Sequence, residues 1–391
     1  MPHSQHFDVI VAGLGAMGSA AVYHLARRGQ RVLGIDRFAP PHTLGSSHGH
    51  TRIIREAYFE HPQYVPMVQR AYAAWEDLER VSGERLFERT GGLMAGRPDS
   101  AVVAGARASA DRHKLPYETL SVGDLRGRFP VLNVADDAVG LLEPRAGILF
   151  PERCVATHLR FAAAHGATLR TNDPITAWSA DVSGVGVKVE TASGAGYTAG
   201  RLVISAGAWA SSLLPELSLP LTIERSVLHW FDPGRNHEDF TSRGGLPIFI
   251  WEYGPGLMIY GFPASDEGVK VALHHQGEKA SDPAQVRREV TEDEVVEMRE
   301  LLERLIPDLS VGRWRKSAVC FYTNTPDEDF IIDAHPAHPQ VLIVSPCSGH
   351  GFKFSSAIGE IVKDLIVEGE STFDLSPFRI SRLLSPGAVR R

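Results

Sequence analysis

Phe7 to Ala12 (FDVIVA) runs straight into Gly13-Leu14-Gly15-Ala16-Met17-Gly18, a G-x-G-x-x-G pattern. A short, nearly all-apolar run of this kind predicts a central parallel strand buried on both faces. Val22, Leu25 and Ala26 then recur at helical spacing, and Gly29 is placed to cap the helix. Arg31 to Asp36 (RVLGID) reads as a second strand that ends in an acid. In this order the parts describe a dinucleotide site. Gly13 permits the tight turn, Gly15 lets the backbone approach a pyrophosphate, and Gly18 lets the helix close onto the sheet. The helix N-terminus offers N–H groups and positive dipole to the phosphates, and Asp36 can accept from the ribose hydroxyls. NAD and FAD are not separated by these residues.

A chain of 391 residues amounts to two or three domains. With 43% hydrophobic and 22% charged residues it is of ordinary globular composition, not disordered or collagenous. Forty Lys+Arg against 47 Asp+Glu give a net charge of −7, which speaks against nucleic acid or an anionic membrane as partner. Three cysteines make no disulfide framework, and no long apolar run predicts a membrane span. No leader is read at the N-terminus, so a cytoplasmic protein is expected.

Beyond Asp36 the pattern does not continue as βαβαβ, as a complete nicotinamide-binding domain would require. Pro40-Pro41 leads instead into a loop, GSSHGHTR (Gly45 to Arg52), and then a helix with Val68, Tyr72, Trp75 and Leu78 on one face and Gly83 beyond its end. Val185, Val187 and Val189 alternate as a half-exposed strand, and Arg201 to Ala210 (RLVISAGAWA) reads as a strand and tight turn of the nucleotide domain. From about Leu221 to Tyr322, aromatic strand segments (PIFIWEY, LMIYGFP, VKVALHH) suit an antiparallel sheet. One helix interrupts them, with Val295, Met298, Leu302 and Leu305 inward, a Thr291/Glu294 capping box, and Pro307 to stop it. A strand (VLIVSP) and a helix with Ile358, Ile361, Val362, Leu365 and Ile366 inward and Gly369 at its end close the chain. The expected fold is α/β of mixed α+β character, with interleaved domains.

In VKVALHH, Val269, Val271 and Leu273 share one face while Lys270, Ala272 and His274 share the other. Lys270 and His274 would lie about 13 Å apart, and this segment alone favours a solvated outer face for them. Cys320, in the apolar run KSAVCFYTN, reads by itself as a small core residue, since a reactive thiol needs cationic neighbours. Cys154 and Cys347 read as structural. No spacing suggests a metal site. Ser348 to Phe354 (SGHGFKF) precedes the last helix and can present N–H groups to negative charge.

Taken together, GLGAMGSA, SSHGHTRIIREAY, VISAGAWA, YGFP with GVKVALHH, AVCFYTNTPDEDFIID and SGHGFKFSSAIGE resemble the monomeric sarcosine oxidase and N-methyltryptophan oxidase family of flavoenzymes. The resemblance spans nearly the whole chain, and the cysteine and SGHGFKFSS segments are its most specific parts. It implies a Rossmann-like FAD-binding domain of residues 1–88, 150–222 and 325–391. A substrate domain of residues 89–149 and 223–324 is interleaved with it, on a mixed, largely antiparallel sheet. It implies FAD covalently attached through the Cys320 sulfur, which reverses the core reading of that residue. Gly13, Gly15, Ala16, Met17, Gly18, Asp36, Arg37, Ser46, Thr51, Arg52, Ala206, Gly207 and Trp209 would contact the cofactor, as would Gly349, Gly351, Phe352 and Lys353.

The same resemblance places Arg52 and His48 beside the flavin ring and gives Lys270 the activation of oxygen. Arg55 and Lys353 would clamp a substrate carboxylate, with Tyr260, His274, Tyr322 and His350 around substrate and ring. The implied reaction is oxidation of a secondary amino acid such as sarcosine to an imine, then to aldehyde and amine, with O2 reduced to H2O2 by a monomeric enzyme. His50 and Ser345-Pro346-Cys347 depart from the family pattern around the cavity and bear on the substrate rather than the reaction. A cyclic or dicarboxylic secondary amino acid would satisfy the same clamp, and a flavin dehydrogenase with another electron acceptor is the alternative reaction.

Overall fold

The computed structural model describes residues 5–181, 185–345 and 348–384; Cys347 lies outside them. Strand β1 (Gln5–Ala12) pairs in parallel with β2 (Val32–Ile35) on one side and with Gly196–Ile204 on the other. Thr168–Arg170 continues the parallel set beyond β2, and His338–Val344 runs beside Leu202 to Ile204. Val9, Ile10 and Val11 are wholly buried, because both faces of this sheet are covered, and so the run is continuously apolar rather than alternating. Ile175–Ala180, Val187–Thr191 and Ile332–His335 complete eight strands among the described residues. Val185 stands outside that ribbon and is exposed, so the alternation holds for Val187 and Val189 only.

Helix α1 (Ala16–Arg27) follows β1 through the glycine turn. Gly13 has φ +94°, and a Cβ on Gly18 would lie 1.7 Å from the Gly13 carbonyl oxygen. The turn therefore closes only because both side chains are hydrogen. The helix Val65–Ser82 buries Val68, Tyr72, Trp75 and Leu78 and ends at Gly83, in the left-handed region. The final long helix, Ser355–Val367, buries Ile358, Ile361 and Val362, while Leu365 and Ile366 are only partly covered.

A second sheet of nine strands among the described residues is largely antiparallel. Thr222–Phe231 lies next to one edge, between Val269–His274 and the edge strand Trp314–Asn324, with Ser226 opposite Cys320 and Trp230 opposite Lys270. The exception is Ile248–Gly254, which pairs in parallel with Gly92–Gly96. Met298, Leu302 and Leu305 of the helix Glu292–Leu305 pack on one face with Phe231, Val269 and Val271. Its capping box at Thr291 and Glu294 is formed, and Pro307 opens a further single turn, Pro307–Ser310.

The opposite face of the strand Val269–His274 is not solvated. Lys270 is 2% exposed and Ala272 is fully buried. Alternation says which residues share a face but not what covers it. Here the segment around Gly49 to Thr51 lies over that face. Arg52 itself begins a short strand, Arg52–Ile54, paired with Gly147–Leu149. Cys154 is buried in the helix Pro151–Ala164, in keeping with a structural role.

Candidate active site

One cavity of ≈ 380 Å³ runs from the glycine turn across the edges of both sheets. Gly13, Gly15, Ala16 and Met17 line its first end. A Cβ on Gly15 would meet only Ser47 Oγ, at 3.5 Å. The two later glycines thus do different things: Gly18 permits packing, and Gly15 keeps open floor where a phosphate can approach. Gly18 does not itself line the cavity.

Ser47 was not singled out in the sequence. Its Oγ accepts from the Ala16 N–H at 3.2 Å, so it caps the first turn of α1. Asp36 lines the cavity, 8% exposed, and accepts from Leu14 N at 2.6 Å and Phe38 N at 2.8 Å. Burial pushes its carboxyl up against the pull of those two bonds. Each oxygen retains a second acceptor site for a ribose hydroxyl. Arg37 lies 5.2 Å above the Trp209 ring, and both line the cavity with Ala206, Gly207 and Ser46.

Midway, Cys320 projects from the strand Trp314–Asn324 into the cavity. Arg52 Nη2 donates to Cys320 Sγ at 3.2 Å and to Ser46 O at 2.8 Å. This is the cationic neighbour that a reactive thiol needs, supplied from a residue remote in sequence. Burial works against the Arg52 charge, but Cys320, Tyr260 and Glu152 around it push its pKa up.

Lys270, His48 and Thr51 do not line the cavity; they lie behind it. Lys270 Nζ donates to Gly49 O at 2.9 Å and Thr51 O at 2.6 Å, and lies 4.1 Å from the Phe262 ring centre. Burial, then the nearby Arg52, pull its pKa well below the ordinary lysine range. His48, 2% exposed, is brought down to about 4 by burial and Arg52, so its ring is neutral.

At the far end the two expected clamp cations converge. Arg55 and Lys353 both line the cavity and both lie against Tyr58, at 4.3 and 5.1 Å from its ring centre. A residue not foreseen holds one of them: Arg55 Nη2 donates to both Glu60 carboxylate oxygens, at 2.7 and 2.6 Å. Despite its burial, Glu60 is drawn down to about 2 by Arg55, His350 and Lys353. Lys353 Nζ donates to His350 O at 2.7 Å, and burial and Arg55 lower its pKa to about 7.

His350 Nε2 faces Glu328 O at 3.0 Å and must carry the proton, which leaves Nδ1 to accept from Tyr58 OH at 2.5 Å. Burial lowers His350 to about 4. His274 Nδ1 is 3.3 Å from Tyr322 OH, and burial keeps that ring neutral too. Tyr322 lies flat against Gly349, where a Cβ would come within 2.7 Å of its ring carbons. Tyr260, Gly351 and Phe352 also line this end.

This lining fits FAD. The floor at Gly15 is open to a pyrophosphate, an acid stands at the end of β2, and a cysteine lies at mid-cavity beside an arginine. Two lining residues also carry buried polar atoms without partners, Arg55 Nε and Thr323 Oγ1. Among the described residues, no cluster of His, Cys, Asp and Glu could hold a metal ion, and no helix is long and apolar enough to cross a membrane.

Comparison with known proteins places the chain in a family. The chain is 46% identical to the monomeric sarcosine oxidase of Streptomyces avermitilis, over 98% of this chain and 100% of that one. It is 40% identical to the monomeric sarcosine oxidase of Bacillus sp. (strain B-0618), over 97% of both chains. With the N-methyl-L-tryptophan oxidase of Citrobacter koseri it shares 38% identity, over 96% of this chain and 99% of the other. The crystal structure of NikD, an amino acid oxidase of nikkomycin biosynthesis, has the same fold, with a TM-score of 0.83 at 23% identity over 96% and 98% of the two chains. The family model described as FAD dependent oxidoreductase matches residues 8–365. The chain belongs to this family of FAD-dependent oxidoreductases.

Proposed function

We propose that this chain oxidises a secondary N-methyl amino acid such as sarcosine, with covalently held FAD as oxidant and oxygen as final acceptor. The products are an imine, which water converts to aldehyde and amine, and hydrogen peroxide. The observation that carries this reading is the convergence of Arg55 and Lys353 at one end of a cavity whose middle holds Cys320 beside Arg52. Relatives 46% and 38% identical are named for sarcosine and N-methyl-L-tryptophan oxidation and support the substrate class.

Bound FAD supplies an acceptor for the two electrons of a substrate C–H bond. The chain's own residues do the rest. Arg55 and Lys353 hold the carboxylate, which fixes the C–H that faces the acceptor; this is catalysis by orientation. The substrate carboxylate takes on Arg55 the kind of contact that Glu60 makes in its absence. His274 and His350 are neutral, and Arg55, Lys353 and Arg52 stand in the lining as cations against the carboxylate of Glu60. That field lowers the substrate amine's pKa and favours the neutral form, whose lone pair is needed for oxidation. Lys270, behind the cavity, is the group that serves the reduction of oxygen.

The proposed domains, residues 1–88, 150–222 and 325–391 against 89–149 and 223–324, are supported by the way the strands of the two sheets divide. The same reading has the protein working in the cytoplasm as a single copy.

An anaerobic screen of secondary amino acids against the purified yellow protein tests the proposal. Bleaching by N-methyl amino acids, followed by peroxide on admission of air, is the expected result. Bleaching without peroxide, with rapid reduction of an added dye, would point to another acceptor, and bleaching by cyclic or dicarboxylic amino acids alone would shift the substrate class.

A further inference from the structure

We propose that Glu152 is a positioning residue for Lys270 and acts through the backbone of residues 49–51. The proposal rests on the reading of Lys270 as the group that serves reoxidation. Glu152 lies in the first turn of the helix Pro151–Ala164, far in sequence from both partners. Its Oε1 accepts from Gly49 N at 2.7 Å and from His50 N at 3.1 Å. These two residues have φ +98° and +65°. Their two N–H groups turn to one side and meet the same carboxylate oxygen. A histidine adopts such a φ at a cost, so the carboxylate that meets these amides also holds a turn that would otherwise relax.

The other side of the same turn carries the lysine. Gly49 O and Thr51 O accept from Lys270 Nζ, at 2.9 and 2.6 Å. Thr51 O also accepts from Arg52 Nη1 at 2.9 Å, and Arg52 Nη2 reaches Cys320 Sγ. Three residues of backbone thus stand between Glu152 on one side and Lys270 and Arg52 on the other. The Gly49 carbonyl shares a peptide plane with the His50 amide, so the bond from His50 N to Glu152 sets the direction of one of the two oxygens that hold Lys270 Nζ, and the Thr51 carbonyl follows one residue on. Hydrogen bonds to ionised groups are the stronger kind, which suits this carboxylate to the task.

Both amides bond to one oxygen, so charge and geometry are separable. Glu152→Gln keeps an acceptor at that place, whereas Glu152→Ala removes it. The experiment uses the holoenzyme and reads amide exchange at Gly49 and His50, and reoxidation by air after dithionite reduction, which needs no amino acid substrate. For Glu152→Ala we expect exchange faster by about tenfold or more and reoxidation slower by a similar factor, with reduction by substrate within about twofold of wild type. Glu152→Gln should preserve most of the amide protection. In a Lys270→Met background, Glu152→Ala should slow reoxidation by less than about twofold further, as two groups acting in series do. Should the alanine variant not fold, Glu152→Asp, one methylene shorter, must show the same split in smaller measure. The proposal is overturned by unchanged exchange in Glu152→Ala, by equal slowing of reduction and reoxidation, or by full additivity with Lys270→Met. If no amino acid reduces the enzyme, the proposed function fails, while exchange and dithionite reoxidation still decide the role of Glu152.

Discussion

Arg52 Nη2 stands 3.2 Å from Cys320 Sγ, and the two residues come from different sheets. A guanidinium at this distance is placed to stabilise negative charge on the sulfur as it bonds to carbon. Cys320→Ala should therefore leave a protein that binds FAD but releases all of its colour on acid precipitation, whereas wild type keeps it. Arg52→Met should lower the fraction of covalent attachment severalfold, read as the share of yellow colour that stays with the protein on acid precipitation.

The buried pair of Arg55 and Glu60 makes a separate prediction. Arg55→Ala leaves Glu60 charged and unpaired in a low-dielectric site, a loss of about 3–5 kcal/mol. Arg55→Ala with Glu60→Gln should restore much of that stability in denaturant titrations without restoring affinity for small carboxylate inhibitors. Recovery of inhibitor binding in the double variant would count against Arg55 as a clamp.

Lys353 sets a pH dependence. Burial and the adjacent Arg55 hold its pKa at about 7, so above pH 7 the free protein loses the ammonium that a carboxylate would meet. Inhibitor affinity should be full below pH 7 and fall above it, by about tenfold per pH unit at most, until the raised pKa of the complex is passed. Titrations of a small carboxylate from pH 6 to 9 check this, and Lys353→Met should be weak throughout that window without the same slope.

Lys270→Met should slow reoxidation by air far more than reduction by substrate. Stopped-flow measurement of the two half-reactions separates them, and equal slowing of both would remove the lysine from the oxygen step.

The glycines of the first turn should part company on substitution. Gly18→Ala drives a Cβ to 1.7 Å from Gly13 O and should lower stability by more than about 2 kcal/mol. Gly15→Ala meets only Ser47 Oγ at 3.5 Å and should fold with near-wild-type stability in the FAD-free protein, yet retain less FAD on gel filtration.

What could be read in advance follows from the range of the forces involved. The first strand, turn and helix were legible because burial and backbone constraint there act over neighbouring residues. Lys270 was assigned to its face correctly by alternation, but its burial depends on the Gly49–Thr51 segment, more than two hundred positions away. Ser47 left no mark in the spacing because its partner, the Ala16 amide, is brought to it by the tertiary approach of a loop, while Glu60 is only five positions from Arg55 but meets it through irregular backbone that has no helical or strand period. Cys320 looks like core by local composition and is indeed 2% exposed; only Arg52, brought from the other end of the chain, makes it different from Cys154.

The glycine turn belongs to the eight-stranded sheet and Cys320 to the nine-stranded one, yet both border a single cavity. A molecule gripped at the turn and anchored at the sulfur would be a cross-brace between two layers that the polypeptide itself joins only by crossing back and forth. Loss of that brace should loosen the relation of the layers before either melts, so heat would first scramble the site and only later the framework around it.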